Sequence, residues 1–286
     1  MKRIAILTGN ELRHQFMRKA LALIPGISVE ASYCEKAEKS IRQIVTDRNA
    51  PGVKEELEHL NERERVEEDF FATFCQLAPD RSNPVVVPKN AINDPQVAAA
   101  IIEDIQPDLL VAYGCSIIKD PLLTAYSGRF LNVHLGLSPY YRGAGTNFWP
   151  LVNGTPEYVG ATFMHLDAGI DTGEIIHQMR ARVFPGDGPH QISNRLISQI
   201  ALECGAVIRV FDQLTKLDQP LKSDTDRYYQ NRDYSAGAVI KMRDNFHNGM
   251  ISEYLNNKEY RCSRAPLVLN PNVQRELNSI RDNLSR

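Results

Sequence analysis

Short apolar runs alternate with longer amphipathic stretches through most of this chain. Residues near 2–7, 28–33, 84–87, 108–112, 130–133, 158–164 and 174–183 are rich in β-branched, aliphatic and aromatic side chains, and predict strands. Helical stretches are expected near 11–23, 94–105 and 188–215. The middle one opens on Asp94-Pro95, a capping residue followed by one that suits a first helical turn. Strands alternating with helices predict an α/β protein with a mostly parallel sheet. The pattern changes at Asp218-Gln219-Pro220. We therefore expect a main α/β domain over 1–217 and a small C-terminal subdomain over 218–286. That tail holds short mixed elements and a last helix over 272–286. Its aromatic residues suit either a small core of its own or a surface that docks on the main domain or on a second subunit.

One stretch is unusually charged. Residues 51–70 hold eight acidic and three basic side chains. Leu57, Leu60, Phe71 and Phe74 recur at intervals that fit one helical face. A solvated helix packed through a thin apolar stripe fits this pattern, and so does a lid over a substrate pocket.

The polar residues that break the apolar pattern carry the chemistry. Phe130 to Val133 is a strand, so Asn132 and His134 project from one face. A polar pair at the end of a buried strand is costly unless it is hydrogen-bonded or used. Leu135-Gly136-Leu137-Ser138-Pro139 follows at once and turns the chain, which puts the pair where an open α/β sheet places its active site. A second cluster, Asp167-Ala168-Gly169-Ile170-Asp171-Thr172-Gly173, lies 37 residues beyond His134 when counted to Asp171. Alone it reads equally well as a surface turn. Together with the first cluster, it lets an Asn, a His and an Asp converge on one pocket.

Asn132-Val133-His134 through Ser138-Pro139 and Tyr141-Arg142-Gly143, followed by Asp167 to Gly173, resembles the formyltransferases that use 10-formyltetrahydrofolate. Leu110-Val111-Ala112-Tyr113-Gly114 is similar to that family's folate-side loop. The resemblance covers roughly residues 1–210 in layout and is sharp from about 108 to 176. It implies a Rossmann-like formyltransferase fold and catalytic roles for Asn132, His134 and Asp171. It also implies that Tyr113, Gly114, Cys115, Ser116, Ile117 and Ile118 bind the pteridine ring, with Asp167 and Gly169 closing its other side. The residue types suit the task. An amide N–H can steady a developing oxyanion, an imidazole can move a proton near neutrality, and a carboxylate can orient it. Cys115 next to that loop is expected to be a structural thiol.

Near the start, Thr8-Gly9-Asn10 ends the first strand and a helix follows. Helix N-termini attract phosphate, so Gly9, Asn10 and Arg13 are substrate-binding candidates, although a routine turn accounts for them equally well. The remaining histidines show no metal-ligand spacing, and no metal is expected. A net charge of −2 argues against a general nucleic-acid surface, and residues 221–286 hold eleven basic against eight acidic side chains. Five scattered cysteines and no apolar run of membrane-spanning length suit a reduced, cytoplasmic protein. We expect formyl transfer to a nucleotide-linked amino sugar, because the tail is short and nearly neutral where methionyl-tRNA formyltransferases carry a larger basic domain. The alternatives are methionyl-tRNA formylation and hydrolysis of formyltetrahydrofolate. A homodimer is allowed, with no nucleic acid and no membrane among the partners.

Overall fold

The computed structural model describes residues 1–48, 50–220 and 226–284. Along the chain run β1 (Lys2–Gly9), α1 (Leu12–Ala22), β2 (Ile27–Lys36), α2 (Ile41–Arg48), α3 (Val53–Leu77), β3 (Pro84–Pro88) and α4 (Pro95–Ala99). Next come β4 (Leu109–Tyr113), α5 (Leu122–Ala125), β5 (Phe130–His134), β6 (Tyr141–Gly143), α6 (Trp149–Val152), β7 (Gly160–His165), β8 (Ile175–Arg180) and α7 (Pro189–Arg209). The last elements are β9 (Arg227–Tyr229), α8 (Ala236–His247), α9 (Met250–Asn256), α10 (Lys258–Ser263) and α11 (Pro271–Leu284). Residues 285 and 286 of the expected last helix lie outside the described residues, as do 221–225 of the expected tail.

Seven strands form one sheet in the order β3-β2-β1-β4-β5-β7-β8. The first five pair in parallel and the last two add antiparallel. The central strands are apolar because both of their faces are covered. Ile4, Ala5, Ile6 and Leu7 of β1 are fully buried, as are Leu109, Leu110 and Val111 of β4. Alternate residues feed two cores. Ile4, Ile6, Val111, Leu131 and Val133 meet α1 and α7, while Ala5, Leu7, Leu110, Ala112 and Phe130 meet the layer of α4 and α5. β3 is an edge strand bounded by Pro84 and Pro88, with Val85 and Val86 exposed, which is where prolines are tolerated in a sheet. α4 runs into a π-helical turn over Ala100–Ile105, so the expected helix over 94–105 is one rod with a widened second half.

The charged stretch is a 25-residue helix, α3, packed onto the fold. Phe71 is fully buried and lies 4.6 Å, ring to ring, from Phe16 of α1, and Phe74 sits 5.1 Å from the same ring. Its apolar stripe also meets Ile197 of α7. The segment after residue 226 contributes Met242, Met250, Ile251, Tyr254, Val273 and Leu277 to the α1–α7 core. The backbone N–H of Gln178 donates to the Val268 carbonyl at 2.8 Å, so the stretch before α11 covers the outer edge of β8. Among the described residues, no helix is long and apolar enough to cross a membrane.

Candidate active site

Strand order reverses between β1 and β4, because β2 and β3 lie to one side of β1 while β4 and β5 lie to the other. In open parallel sheets a ligand crevice opens beyond the carboxyl ends of the strands at such a reversal. The turn after β1, the loop after β4 and the end of β5 all meet at this edge.

β5 supplies Asn132 and His134 from one face, while Leu131 and Val133 point into the opposite core. Asp171 arrives from the loop between β7 and β8 with φ at +51°, a left-handed conformation that Asp adopts more readily than most residues. Its Oδ1 lies 3.2 Å from His134 Nδ1 and accepts from Asn132 Nδ2 at 3.4 Å. Its Oδ2 accepts the Gly143 backbone N–H at 2.9 Å. Asp171 therefore touches both other side chains expected to converge, and the Asp and His are 12% and 7% exposed. The second ring nitrogen of His134, Nε2, lies 3.1 Å from the Tyr141 carbonyl. Both neighbours of the ring are acceptors, so both contacts become hydrogen bonds only when both nitrogens carry hydrogen. The turn after His134 is pinned from the sheet. The Thr162 hydroxyl accepts from the Ser138 N–H at 3.0 Å and donates to the Gly136 carbonyl at 2.7 Å, and Gln178 donates to the Ser138 carbonyl at 2.7 Å.

The 113–118 loop is anchored by a residue that the sequence reading missed. Glu35, at the end of β2, is almost fully buried and its carboxylate accepts the N–H groups of Ser116 and Asn90, each at 2.7 Å, with Lys89 at 3.2 Å. An acidic side chain closing an apolar run was the available signal. The loop's members point in different directions. Tyr113 is buried toward α1, Ile118 is buried in the core beneath, Gly114 is exposed, and Ile117 stands 61% exposed. Burial, with the charge of Glu35, pushes the Cys115 thiol up to about 12, which disfavours a reactive thiolate. Across the site, Asp167 ties its own loop by accepting from the Gly169 N–H at 3.0 Å and the Thr172 hydroxyl at 2.9 Å. Ile170 of that loop is also exposed.

At the β1 turn, Gly9 is buried and Asn10 exposed. Arg13 is held rather than free. Its N–H donates to Glu67 Oε1 at 3.0 Å, its guanidinium lies 3.2 Å from Glu67 Oε2, and it also contacts Glu11. Glu67 and Arg63 come from α3, whose part in this corner carried no signal in the sequence, since such a contact depends on how helices pack. The Tyr141 carbonyl on His134 was equally invisible, because it is a backbone atom. Among the described residues, no group of three or more His, Cys, Asp or Glu side chains could hold a metal ion.

A sequence profile of the formyl transferase family matches residues 2–202. The chain belongs to that family. Among curated relatives, the methionyl-tRNA formyltransferase of Geobacter metallireducens is 35% identical over 122 residues, which is 42% of this chain and 38% of that one. The chain thus spans about two-fifths of that relative's length. Among solved structures, phosphoribosylglycinamide formyltransferase from Anaplasma phagocytophilum superposes with a TM-score of 0.52 at 15% identity, covering 80% of this chain and 98% of that one. A sugar N-formyltransferase from Shewanella sp gives 0.50 at 17% identity, over 82% and 78%. At those identities the two structures speak to fold alone. They agree with the family's Rossmann-like α/β sheet.

Proposed function

We propose that the protein transfers the formyl group of 10-formyltetrahydrofolate to the amine of a nucleotide-linked amino sugar. The observation that carries this reading is the contact of Asp171 with both Asn132 and His134 at the carboxyl edge of a formyl transferase sheet. The folate supplies an activated formyl carbon. Asn132 donates an amide N–H to its oxygen as the amine attacks and negative charge gathers there, and a protonated His134 turns its Nε2–H from the Tyr141 carbonyl to the same oxygen. Asp171 holds the imidazole from Nδ1 and balances its charge. The proton that the amine loses passes to the Asp171 carboxylate, directly or through water, and one proton goes from the His134–Asp171 pair to N10 of the folate as the C–N10 bond breaks. The products are a formamide and tetrahydrofolate, with no covalent enzyme intermediate. Ile117 and Ile170, exposed on the two loops beside the trio, offer apolar faces to the pteridine ring.

Two features favour a small acceptor. The tail packs into the main core, and its basic excess over residues 221–286 is only three, eleven against eight. The sequence similarity to methionyl-tRNA formyltransferases keeps tRNA as the second reading. Incubation with 10-formyltetrahydrofolate and a panel of nucleotide-linked amino sugars, with initiator methionyl-tRNA alongside, separates them. A formylated sugar by mass spectrometry is the expected result. Formylation of methionyl-tRNA alone, or release of free formate without any amine, overturns it.

A further inference from the structure

α3 carries a second arginine into the crevice, and its surroundings are incomplete. Arg63 sits 3.4 Å from Glu11 Oε2 and 3.8 Å from Glu67 Oε2, both long contacts, while both oxygens of Glu67 are already engaged by Arg13. Two arginines thus share two carboxylates, and the charge of Arg13 is the largest influence lowering the Arg63 pKa. Among the described residues, four buried polar atoms in this corner have no hydrogen-bond partner: Tyr113 Oη, His59 Nδ1, His190 Nε2 and Tyr234 Oη. All four rings feel the Arg63 charge. The His59 and His190 rings lie 4.6 Å apart, and His59 is 5.5 Å from Phe148 and 6.3 Å from Tyr234. Buried polar atoms are nearly always satisfied, so the orphaned tyrosine hydroxyls near one loosely paired guanidinium mark a place built for a guest with acceptor oxygens.

We propose that Arg63, with Arg13 beside it, grips a phosphate or diphosphate of the acceptor. Glu11, whose side chain is 55% exposed, swings into solvent as the anion arrives. Glu67 stays, because it also holds the Arg13 backbone N–H. The phosphate oxygens take the freed guanidinium hydrogens and the Tyr113 and Tyr234 hydroxyls. The assignment rests on the nucleotide-linked acceptor proposed above. It makes α3 a fixed wall of the substrate site.

The test needs no turnover. Uridine diphosphate, thymidine diphosphate and pyrophosphate are titrated calorimetrically into the wild type and the variants Arg63→Met, Arg63→Lys and Glu11→Gln. Arg63→Met should weaken diphosphate binding roughly tenfold to a hundredfold, the worth of one or two charge-assisted hydrogen bonds. Arg63→Lys should recover part of that loss, and Glu11→Gln, which removes the competing carboxylate, should tighten binding severalfold. Thermal melts check the fold, and Arg63→Met should not lower the midpoint, since it relieves the repulsion from Arg13. Diphosphate binding equal in wild type and Arg63→Met overturns the Arg63 assignment and leaves the sugar reading standing. A wild type that binds none of the three probes overturns both.

Discussion

At the scale of single residues, the trio and the glycines against His14 make separable predictions. His134→Ala and Asp171→Asn should each cut turnover about a hundredfold or more, while Asn132→Ala removes one oxyanion donor and should cost a similar factor. Steady-state kinetics checks this, with melts to show that the fold persists. A tenfold or smaller effect at His134 would be incompatible with the mechanism. At the carboxyl ends of β1 and β4, the His14 ring is wedged between two turns. A Cβ at Gly9 would lie 2.5 Å from it and one at Gly114 would lie 2.4 Å from it. The ring cannot easily yield, since its Nδ1 accepts the Glu11 N–H at 3.2 Å. Burial, with Arg13, Arg63 and Lys89 nearby, holds its pKa well below the usual histidine range. Gly9→Ala should therefore destabilise, and much less so in a His14→Ala background. Gly114→Ala should stay costly in both, because its φ of +65° strains any L side chain. Equal rescue of both glycines, measured by urea unfolding, would contradict this account.

Among the elements, α3 decides most. Its packing on α1 through Phe71 and Phe16 makes it part of the core, as the reading of a helix held by a thin apolar stripe expected. Phe71→Ala should cost about 3–5 kcal/mol, the usual toll for emptying a buried aromatic site. Where α3 meets the start of α7, burial pulls His59 down to about 4 and His190 down to about 3. An unfolded histidine titrates near 6.5. Between that value and 4 the unfolded chain binds more protons than the folded one. The stabilisation from keeping these rings neutral is therefore complete above about pH 6.5 and drains away as the pH falls toward 4. By pH 4 the loss should be on the order of 3 kcal/mol for each ring. His59→Phe should flatten the fall in melting temperature between pH 7 and 4.5, and an unchanged slope would sink the assignment.

For the whole molecule, the tail is stitched in at several points. β9 pairs with β6 in parallel, and Tyr229 stacks on Trp149 with ring centroids 4.1 Å apart. Arg261 of α10 reaches Glu157 at 2.9 Å and the Gly154 carbonyl at 2.6 Å, and Asn245 of α8 donates to the Leu151 carbonyl at 2.8 Å. Because Tyr254 and Leu277 bury themselves in the core of α1 and α7, chemical denaturation should give a single cooperative transition by fluorescence and circular dichroism alike. Two separated transitions would mean that the segment after 220 folds as its own unit.

The sequence alone determined the strands of the sheet and the face shared by Asn132 and His134, because apolar period and strand alternation are local properties, whereas the reversal of strand order came only with the tertiary structure. It also exposed the Asp171 loop, since acceptor-rich turns write themselves in Asp and Gly. Only the tertiary structure decided what surrounds them. That Asp171 meets His134 across 37 residues, that the Tyr141 carbonyl faces the second ring nitrogen, that Glu35 anchors a loop eighty residues away, and that Arg63 enters the crevice all depend on helices and loops packing in three dimensions. A charged residue on a helix looks the same in sequence whether it meets water or another charge, and the packing of α3 against α1 settles which.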